Sequence, residues 1–260
     1  MSRTRALTPA ITLGVALACA LQPGAAWAGQ SASISTAFIP ERLGAPTTLS
    51  LGFQISAPAG QVPSPLTGVD FHYPANLGIA TSGLGVASCP IAPLEAHGPS
   101  ICPPNSRMGS GSAFVEIPVG GEIDTERGNI ALVAGPSQNG YIRLLVAATG
   151  FTPVAARVVM PSLLQAGDLK LTVPLVESLP GAADVSVVRV HVTLGGNLTY
   201  YERRHGKLVP YTPKSVVLPK TCPRGGFKFS ATFSFQDGTQ AQAARTVACP
   251  RGWPAHASSG

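Results

Sequence analysis

Two ionisable side chains stand two residues apart in the segment GVDFHYP, and their types could carry out acid–base chemistry. Asp70 and His72 would share one face of a β-strand, where a carboxylate can orient an imidazole. Catalysis also needs a nucleophile, a second carboxylate or a metal ligand nearby, and the sequence places none beside this pair. A solvated strand face explains the pair without catalysis. We therefore predict no catalytic residues.

Three carboxylates alternate in the segment GGEIDTERGN, and together they could bind calcium. Glu122, Asp124 and Glu126 would lie on one side of a strand or loop, with Arg127 beside them to neutralise part of the charge. Known calcium loops place Asp or Asn at the first, third and fifth positions, followed by a glycine and a distant glutamate, which this segment does not match. A calcium site is thus a secondary expectation beside a solvated loop, and the sequence indicates no cofactor.

The segment CPPNSRMGSGSAFVEIP contains serines flanked by glycines, as a hydrolase nucleophile does. A nucleophile elbow needs Gly-x-Ser-x-Gly between a strand and a helix. The sequence here is Met108-Gly109-Ser110-Gly111-Ser112, and it leads into the alternating apolar residues Ala113, Val115 and Ile117. The pattern predicts a strand that begins after a cysteine and two prolines, and it does not predict a nucleophile.

Four of the five cysteines form two clusters, and their spacing predicts two disulfides. Zinc sites need cysteines two to four residues apart, which this chain lacks. An even number of cysteines in an exported chain favours disulfides, and four cysteines allow three pairings. The short separation within each cluster favours Cys89–Cys102 and Cys222–Cys249.

The first 28 residues have the pattern of a secretory signal peptide. Arg3 and Arg5 precede an apolar run that is too short to span a membrane, and small residues precede the predicted cleavage before Gly29. Cys19 gives a minor alternative, because Leu17-Ala18-Cys19 resembles a bacterial lipobox. No later segment is apolar over the roughly 18 residues that a membrane span needs. We expect a protein that is secreted to the exterior or held at the cell envelope.

Composition and periodicity predict an all-β domain over residues 29–250. Only 12% of the residues are charged, 29 are glycine and 25 are proline, which is typical of chains rich in strands and turns. Alternating segments predict twelve strands: 32–39, 47–56, 67–73, 111–117, 128–134, 140–148, 154–160, 168–176, 184–194, 197–202, 226–236 and 239–248. The best helix candidate is a single turn from Pro161 to Gln165.

These strands suit an antiparallel β-sandwich, or two small packed sandwiches divided near residues 161–167. Residues 251–260 are expected to form a flexible tail, because they are rich in small and polar residues.

The clearest strand signal is GFKFSATFSFQDGT, in which phenylalanines alternate with polar residues. A hairpin with a three-residue loop over 236–238 and a left-handed Gly238 keeps the apolar set together. That register pairs Phe233 with Ala241 and Phe227 with Val247, and it leaves Arg245 opposite Phe229. It also brings Cys249 close to Cys222.

The carboxyl-terminal part of the chain is strongly basic. Asp237 is the only acidic residue between Arg203 and Arg251. We predict an anion-binding surface that could hold cell-wall polymers, glycans or phospholipid head groups. Nucleic acid is not expected in an exported protein without a recognised binding module, and charges that only solubilise the domain are the alternative. The candidate residues are Arg203, Arg204, Lys207, Lys214, Lys220, Arg224 and Lys228.

Five segments carry a resemblance to a group of proteins: VPSPLTGVDFHYPANLGIATSGLG, CPPNSRMGSGSA, LPGAADVSVVRVHVTLG, LTYYERRHGKLVPY and LPKTCPRGGFKFSATFSFQDGT. Through them, nearly the whole chain after residue 28 resembles exported proteins of high-GC actinobacteria of the Solirubrobacter type. The group has no assigned activity or catalytic residues. The resemblance implies an envelope or extracellular location.

The sequence therefore favours a non-enzymatic structural, adhesive or ligand-binding protein at a bacterial surface. The alternative is a carbohydrate-active or other hydrolytic enzyme, which would need paired carboxylates and an aromatic groove. Few aromatic residues are free for such a groove: Tyr73, Tyr200, Tyr201, Tyr211 and Trp253.

Overall fold

The structure is a computed structural model, and it describes residues 29–79, 87–119, 121–151, 153–195, 199–211 and 216–250. The predicted signal peptide with Cys19, the predicted tail, Lys214 and Trp253 lie outside the described residues.

Fifteen strands make up most of the described chain. They are β1 Ser31–Ile39, β2 Pro46–Ser56, β3 Leu66–His72, β4 Gly78–Ile79, β5 Arg107–Val119, β6 Glu122–Gln138, β7 Tyr141–Thr149, β8 Arg157–Leu163, β9 Asp168–Thr172, β10 Ser186–Leu194, β11 Tyr200–Arg204, β12 Lys207–Tyr211, β13 Val216–Val217, β14 Phe227–Phe235 and β15 Gln240–Val247. One α-helix, α1, spans Ile91–His97 and is followed by two short 3₁₀ turns.

Two antiparallel sheets form a β-sandwich, which confirms the predicted all-β fold. The large sheet has the order β4-β13-β2-β10-β5-β6-β7-β8, with β1 also paired to β2. The small sheet has the order β15-β14-β3-β9, and β11 pairs only with β12 in a separate hairpin. The turn after β8 carries the chain from the large sheet to β9 of the small one.

The main core lies between the sheets and is built from the phenylalanines of β14. Phe227, Phe229 and Phe233 are almost fully buried, as alternation along a strand predicts. Phe233 packs against Phe53 of the large sheet, with 4.9 Å between ring centroids. Phe38 of β1 covers the other end of β14, 5.2 Å from Phe227. Aromatic pairs at these distances add to the stabilisation from apolar burial.

A smaller core lies on the outer face of the large sheet. Val133 of β6 and Leu145 of β7 point outward there and are fully buried. The Cys89–Cys102 disulfide and Leu94 of α1 cover them. The middle of β6 and β7 is therefore buried on both faces, because Leu132 points into the space between the sheets.

The predicted β14–β15 hairpin is confirmed. Phe233 pairs with Ala241 and Phe227 with Val247, while Arg245 stands opposite Phe229. The N–H of Gly238 donates to the carbonyl of Phe235, and Gly238 has a φ of 82°, which is the left-handed conformation that the loop requires.

Both predicted disulfides are present. Cys89–Cys102 closes a separation of 13 residues and Cys222–Cys249 a separation of 27 residues. By restricting the unfolded chain, each contributes about 3 kcal/mol to stability in the loop-entropy account. Cys222–Cys249 clamps the open end of the β14–β15 hairpin, as expected.

One predicted element is wrong, because Pro161 and the two residues after it belong to the edge strand β8 and not to a helical turn. The chain from Ile91 to His97, for which no element is predicted, forms α1. The acidic segment around Asp124, expected on a strand or loop, lies on a strand, because β6 begins at Glu122.

Candidate ligand-binding site

A cavity of about 280 Å³ lies between the two sheets of the sandwich. Both sheets line it, the large sheet with residues such as Val146 and Val158 and the small sheet with residues such as Val69 and Leu171. Three polar side chains are found among the described lining residues, namely Tyr73, Glu126 and Thr149, and the others are apolar or glycine. Binding sites for small molecules are typically apolar clefts with a few placed polar groups.

Small residues at inward-facing positions account for the cavity. Ala113 of β5, Gly128 of β6, Ala148 of β7 and Ala156 before β8 all line it. Larger residues at these four positions would fill the space, since protein interiors are otherwise closely packed. The sequence shows that these residues face inward but does not show how far apart the sheets stand.

The cavity opens to solvent beside the segment 173–185, which connects β9 to β10 and is called the rim segment here. Leu175 lines the cavity and is 43% exposed. The rim segment is held as a small hairpin, in which the N–H of Val185 donates to the carbonyl of Val176 at 2.9 Å. Gly181 donates its N–H to the carboxylate of Glu177 at 3.1 Å.

Glu126 lies in the wall of this cavity, and its side chain is only 6% exposed. Oε1 accepts the N–H of Phe151 at 2.7 Å, and Oε2 accepts the N–H of Val154 at 3.1 Å. The carboxylate thus holds the chain between β7 and β8. Gly150 allows this approach, because a Cβ there would lie 2.5 Å from the carbonyl oxygen of Val154 and 3.1 Å from Oε1.

Tyr73 contributes a neutral hydroxyl to the cavity wall. Its hydroxyl donates to the carbonyl of Gln165. Burial raises the pKa of Tyr73, so the phenol stays protonated under ordinary conditions. Glu126 has the only carboxyl group among the described lining residues, and no lysine, arginine or histidine is found among them.

The three candidate calcium ligands have different surroundings. Glu122 and Asp124 are exposed, whereas Glu126 is buried and already accepts two N–H groups. No group of three or more His, Cys, Asp or Glu side chains that could hold a metal occurs within the described ranges.

Asp70 and His72 lie on the outer face of the small sheet, and each contacts a residue of β9: His72 is hydrogen-bonded to Asp168, and Asp70 forms a long ion pair with Lys170. His72 Nδ1 lies 2.5 Å from Asp168 Oδ1, and Lys170 Nζ lies 4.0 Å from Asp70 Oδ2. Ser230 of β14 stands opposite His72 on the other side, so serine, histidine and aspartate follow one another across three strands. The face is exposed, and the backbone N–H groups of these strands are used in the sheet.

The candidate anion-binding residues that the structure describes lie toward the end of the sandwich away from Glu126. β10 ends there at Leu194, which pairs with Leu49 of β2. Leu49 also pairs with Phe38 of β1, and Phe38 contacts Phe227 at the start of β14. The β11–β12 hairpin follows β10. It carries Arg203, Arg204 and Lys207, of which Arg204 is bonded to Glu202 at 3.0 Å. Exposed cations continue at this end with Lys220, Arg224 and Lys228.

The aromatic groove that the enzyme alternative needs is not assembled from the tyrosines whose side chains are described. Tyr73 lies in the cavity wall and stacks on Phe71, whereas Tyr201 is 61% exposed on the β11–β12 hairpin.

Within the described part of the chain, no helix is long and apolar enough to cross a membrane. Comparisons of the chain with protein-family models, with curated proteins and with solved structures found no match.

Proposed function

We propose that this protein is a secreted, non-enzymatic β-sandwich of the bacterial surface or exterior that binds an apolar ligand between its two sheets. The observation that carries the proposal is the cavity of about 280 Å³ with its apolar lining. Apolar surface left facing water at the mouth favours an apolar occupant, because covering it releases ordered water. The two disulfides support export, since such bonds persist in oxidising compartments.

The volume of the cavity limits the size of the ligand. Its volume of about 280 Å³ is close to the lower end of the range for small-molecule sites, about 300 Å³. The open mouth beside Leu175 lets a longer ligand extend into solvent. A single alkyl or isoprenoid-like chain fits this shape better than a polar sugar.

Filling the cavity should abolish binding. Ala148 lines the cavity on β7, and in Ala148→Phe we expect the ring to occupy the ligand space. Nile red, an uncharged dye that fluoresces in apolar surroundings, should bind the mature protein and bind this variant at least about tenfold more weakly. Titration of the dye measures the effect.

Ala244→Phe is the matched control, because Ala244 is exposed on the outer face of β15. Both variants should keep the thermal midpoint within a few degrees of the parent. Equal dye binding by the parent and by Ala148→Phe would contradict the proposal, as would an absence of dye binding to the parent.

We also propose that the basic end holds the protein near anionic wall polymers, glycans or phospholipid head groups. The support is the run of exposed cations at one end of the sandwich. Replacing Arg224 and Lys228 together by glutamine should weaken binding to vesicles with anionic lipid about tenfold at low salt. Arg127→Gln, exposed at the other end, is the control. Binding that does not fall with added salt would contradict this role.

A carbohydrate-active or other hydrolytic enzyme is the alternative function. The feature that favours it is the row of Ser230, His72 and Asp168 on the outer face of the small sheet. This row lies on an exposed sheet surface, and the described lining of the neighbouring pocket includes Asp168 but neither Ser230 nor His72. Hydrolases instead surround the nucleophile with donors that stabilise an oxyanion. This arrangement supports the non-enzymatic proposal over the alternative.

A further inference from the structure

The buried carboxylate of Glu126 lies in the cavity wall, and its surroundings indicate the kind of ligand that the cavity would bind. Glu126 is the one ionisable side chain buried among the described residues, apart from the disulfide cysteines. Burying a carboxylate without an opposite charge is unfavourable, because the low-polarity interior replaces its hydration poorly. In this part of the chain, no lysine, arginine or histidine forms an ion pair with it. The protein therefore leaves Glu126 without a counter-charge.

The hydrogen bonds of Glu126 leave it able to accept more. A carboxylate offers about four acceptor positions, and the N–H groups of Phe151 and Val154 use one on each oxygen. Its place in the cavity lining exposes the remaining positions to a bound molecule. A loop clamp alone would explain the two bonds, but it would not require an ionisable group in an apolar wall.

Carboxylates also surround this end of the cavity on the inner face of the large sheet and on the rim segment, whereas Arg127 and Arg157 face the outer side of the large sheet. Glu122 and Asp124 precede Glu126 on the same face of β6 and are exposed. Glu177 and Asp184 pair across the rim segment, whose Val176 and Val185 line the cavity. Such a distribution attracts a positive group toward the mouth and disfavours a negative one.

We propose that the ligand is a cationic amphiphile, with an apolar chain between the sheets and a primary amine that donates hydrogen bonds to Glu126. This inference rests on the proposed apolar-ligand function and adds the chemistry of the head group. The ammonium supplies the counter-charge that the protein lacks, and charge-assisted hydrogen bonds are the strongest of their kind. A fatty acid would place a second carboxylate beside Glu126 and is expected to be rejected.

The test compares three competitors of equal chain length against bound Nile red: decylamine, decanol and decanoate. The two charged competitors are kept below the concentration at which they form micelles, and decanol is kept below its solubility limit. With the parent protein, decylamine should displace the dye at a concentration at least about tenfold lower than decanol, and decanoate should be the weakest. In Glu126→Gln, decylamine should fall to the level of decanol, while decanol itself is unchanged. Glu122→Gln, at an exposed position on the same face, should keep the preference.

The outcomes separate the two proposals. Dye binding with equal displacement by all three competitors, or with decanoate strongest, would overturn the amine and leave the apolar cavity in place. An unchanged amine preference in Glu126→Gln would also overturn the role of Glu126. If Glu126→Gln does not fold, the preference order of the parent protein decides. A parent protein that binds neither the dye nor any competitor overturns both proposals.

Discussion

Gly111→Ala is expected to destabilise the fold by at least about 4 kcal/mol, because β5 and β10 approach too closely for a side chain. A Cβ on Gly111 would lie 2.1 Å from the carbonyl oxygen of His191 and 2.7 Å from the Cα of Val192. Both atoms belong to the backbone of β10, which pairs with β2 on its other side and cannot shift alone. Movement would break ladder hydrogen bonds in the middle of the large sheet.

Urea denaturation followed by circular dichroism measures this effect. Ser110→Ala in the same strand is the matched control, since Ser110 is exposed and its loss should change stability by less than about 0.5 kcal/mol. A Gly111→Ala protein within about 1 kcal/mol of the parent would show that the two strands separate easily. The glycine–serine alternation of this segment then would need another explanation.

Phe233→Ala is expected to lower the free energy of unfolding by about 4 kcal/mol. Phe233 is fully buried and packs on Phe53 across the sandwich. Its removal would lose apolar burial and enlarge the cavity, because Phe233 also contributes to the cavity wall. The structure around an existing cavity cannot easily collapse into the new space.

Thr232→Ala provides the control for Phe233, because Thr232 points to the opposite, solvent-facing side of β14. We expect Thr232→Ala to lower the free energy of unfolding by less than about 1 kcal/mol. If the two variants lost comparable amounts of free energy of unfolding, the sheets would not pack through the phenylalanine face of β14. Denaturant midpoints at constant slope distinguish the two cases.

The hairpin and the disulfides could be predicted from sequence because local patterns determine them. Alternating phenylalanines determine which side of β14 is buried, and the three-residue loop with Gly238 selects the register that pairs Phe233 with Ala241. The pairing of Cys222 with Cys249 then follows from the register.

The local patterns fail where tertiary contacts decide the structure. Helix α1 has a proline in its first turn and no side-chain cap at its N-terminus, and Leu94 and the Cys89–Cys102 disulfide hold it in place. Pro161 suggests a break but is accepted in β8, which is an edge strand where a missing N–H costs no ladder bond.

The candidate site could be predicted only in part. The sequence shows Glu126 as one of three alternating carboxylates. Its burial depends on contacts with the chain after β7, such as the N–H of Phe151, which is distant in sequence. The signal that could have identified the cavity is the presence of small residues at inward positions, such as Ala113 and Ala148. Alternation gives the direction of a side chain, whereas the separation of two sheets depends on every residue between them.

The double covering of β6 and β7 has a consequence for how the molecule opens. On the outer face, α1 and the Cys89–Cys102 disulfide cover Val133 and Leu145. On the inner face, Leu132 is buried in the core between the two sheets. Fluctuations that release an edge strand such as β15, or that part the sheets to admit a guest, leave this three-layered centre intact. The protein can therefore loosen at its periphery while one rigid block preserves the alignment of everything attached to it.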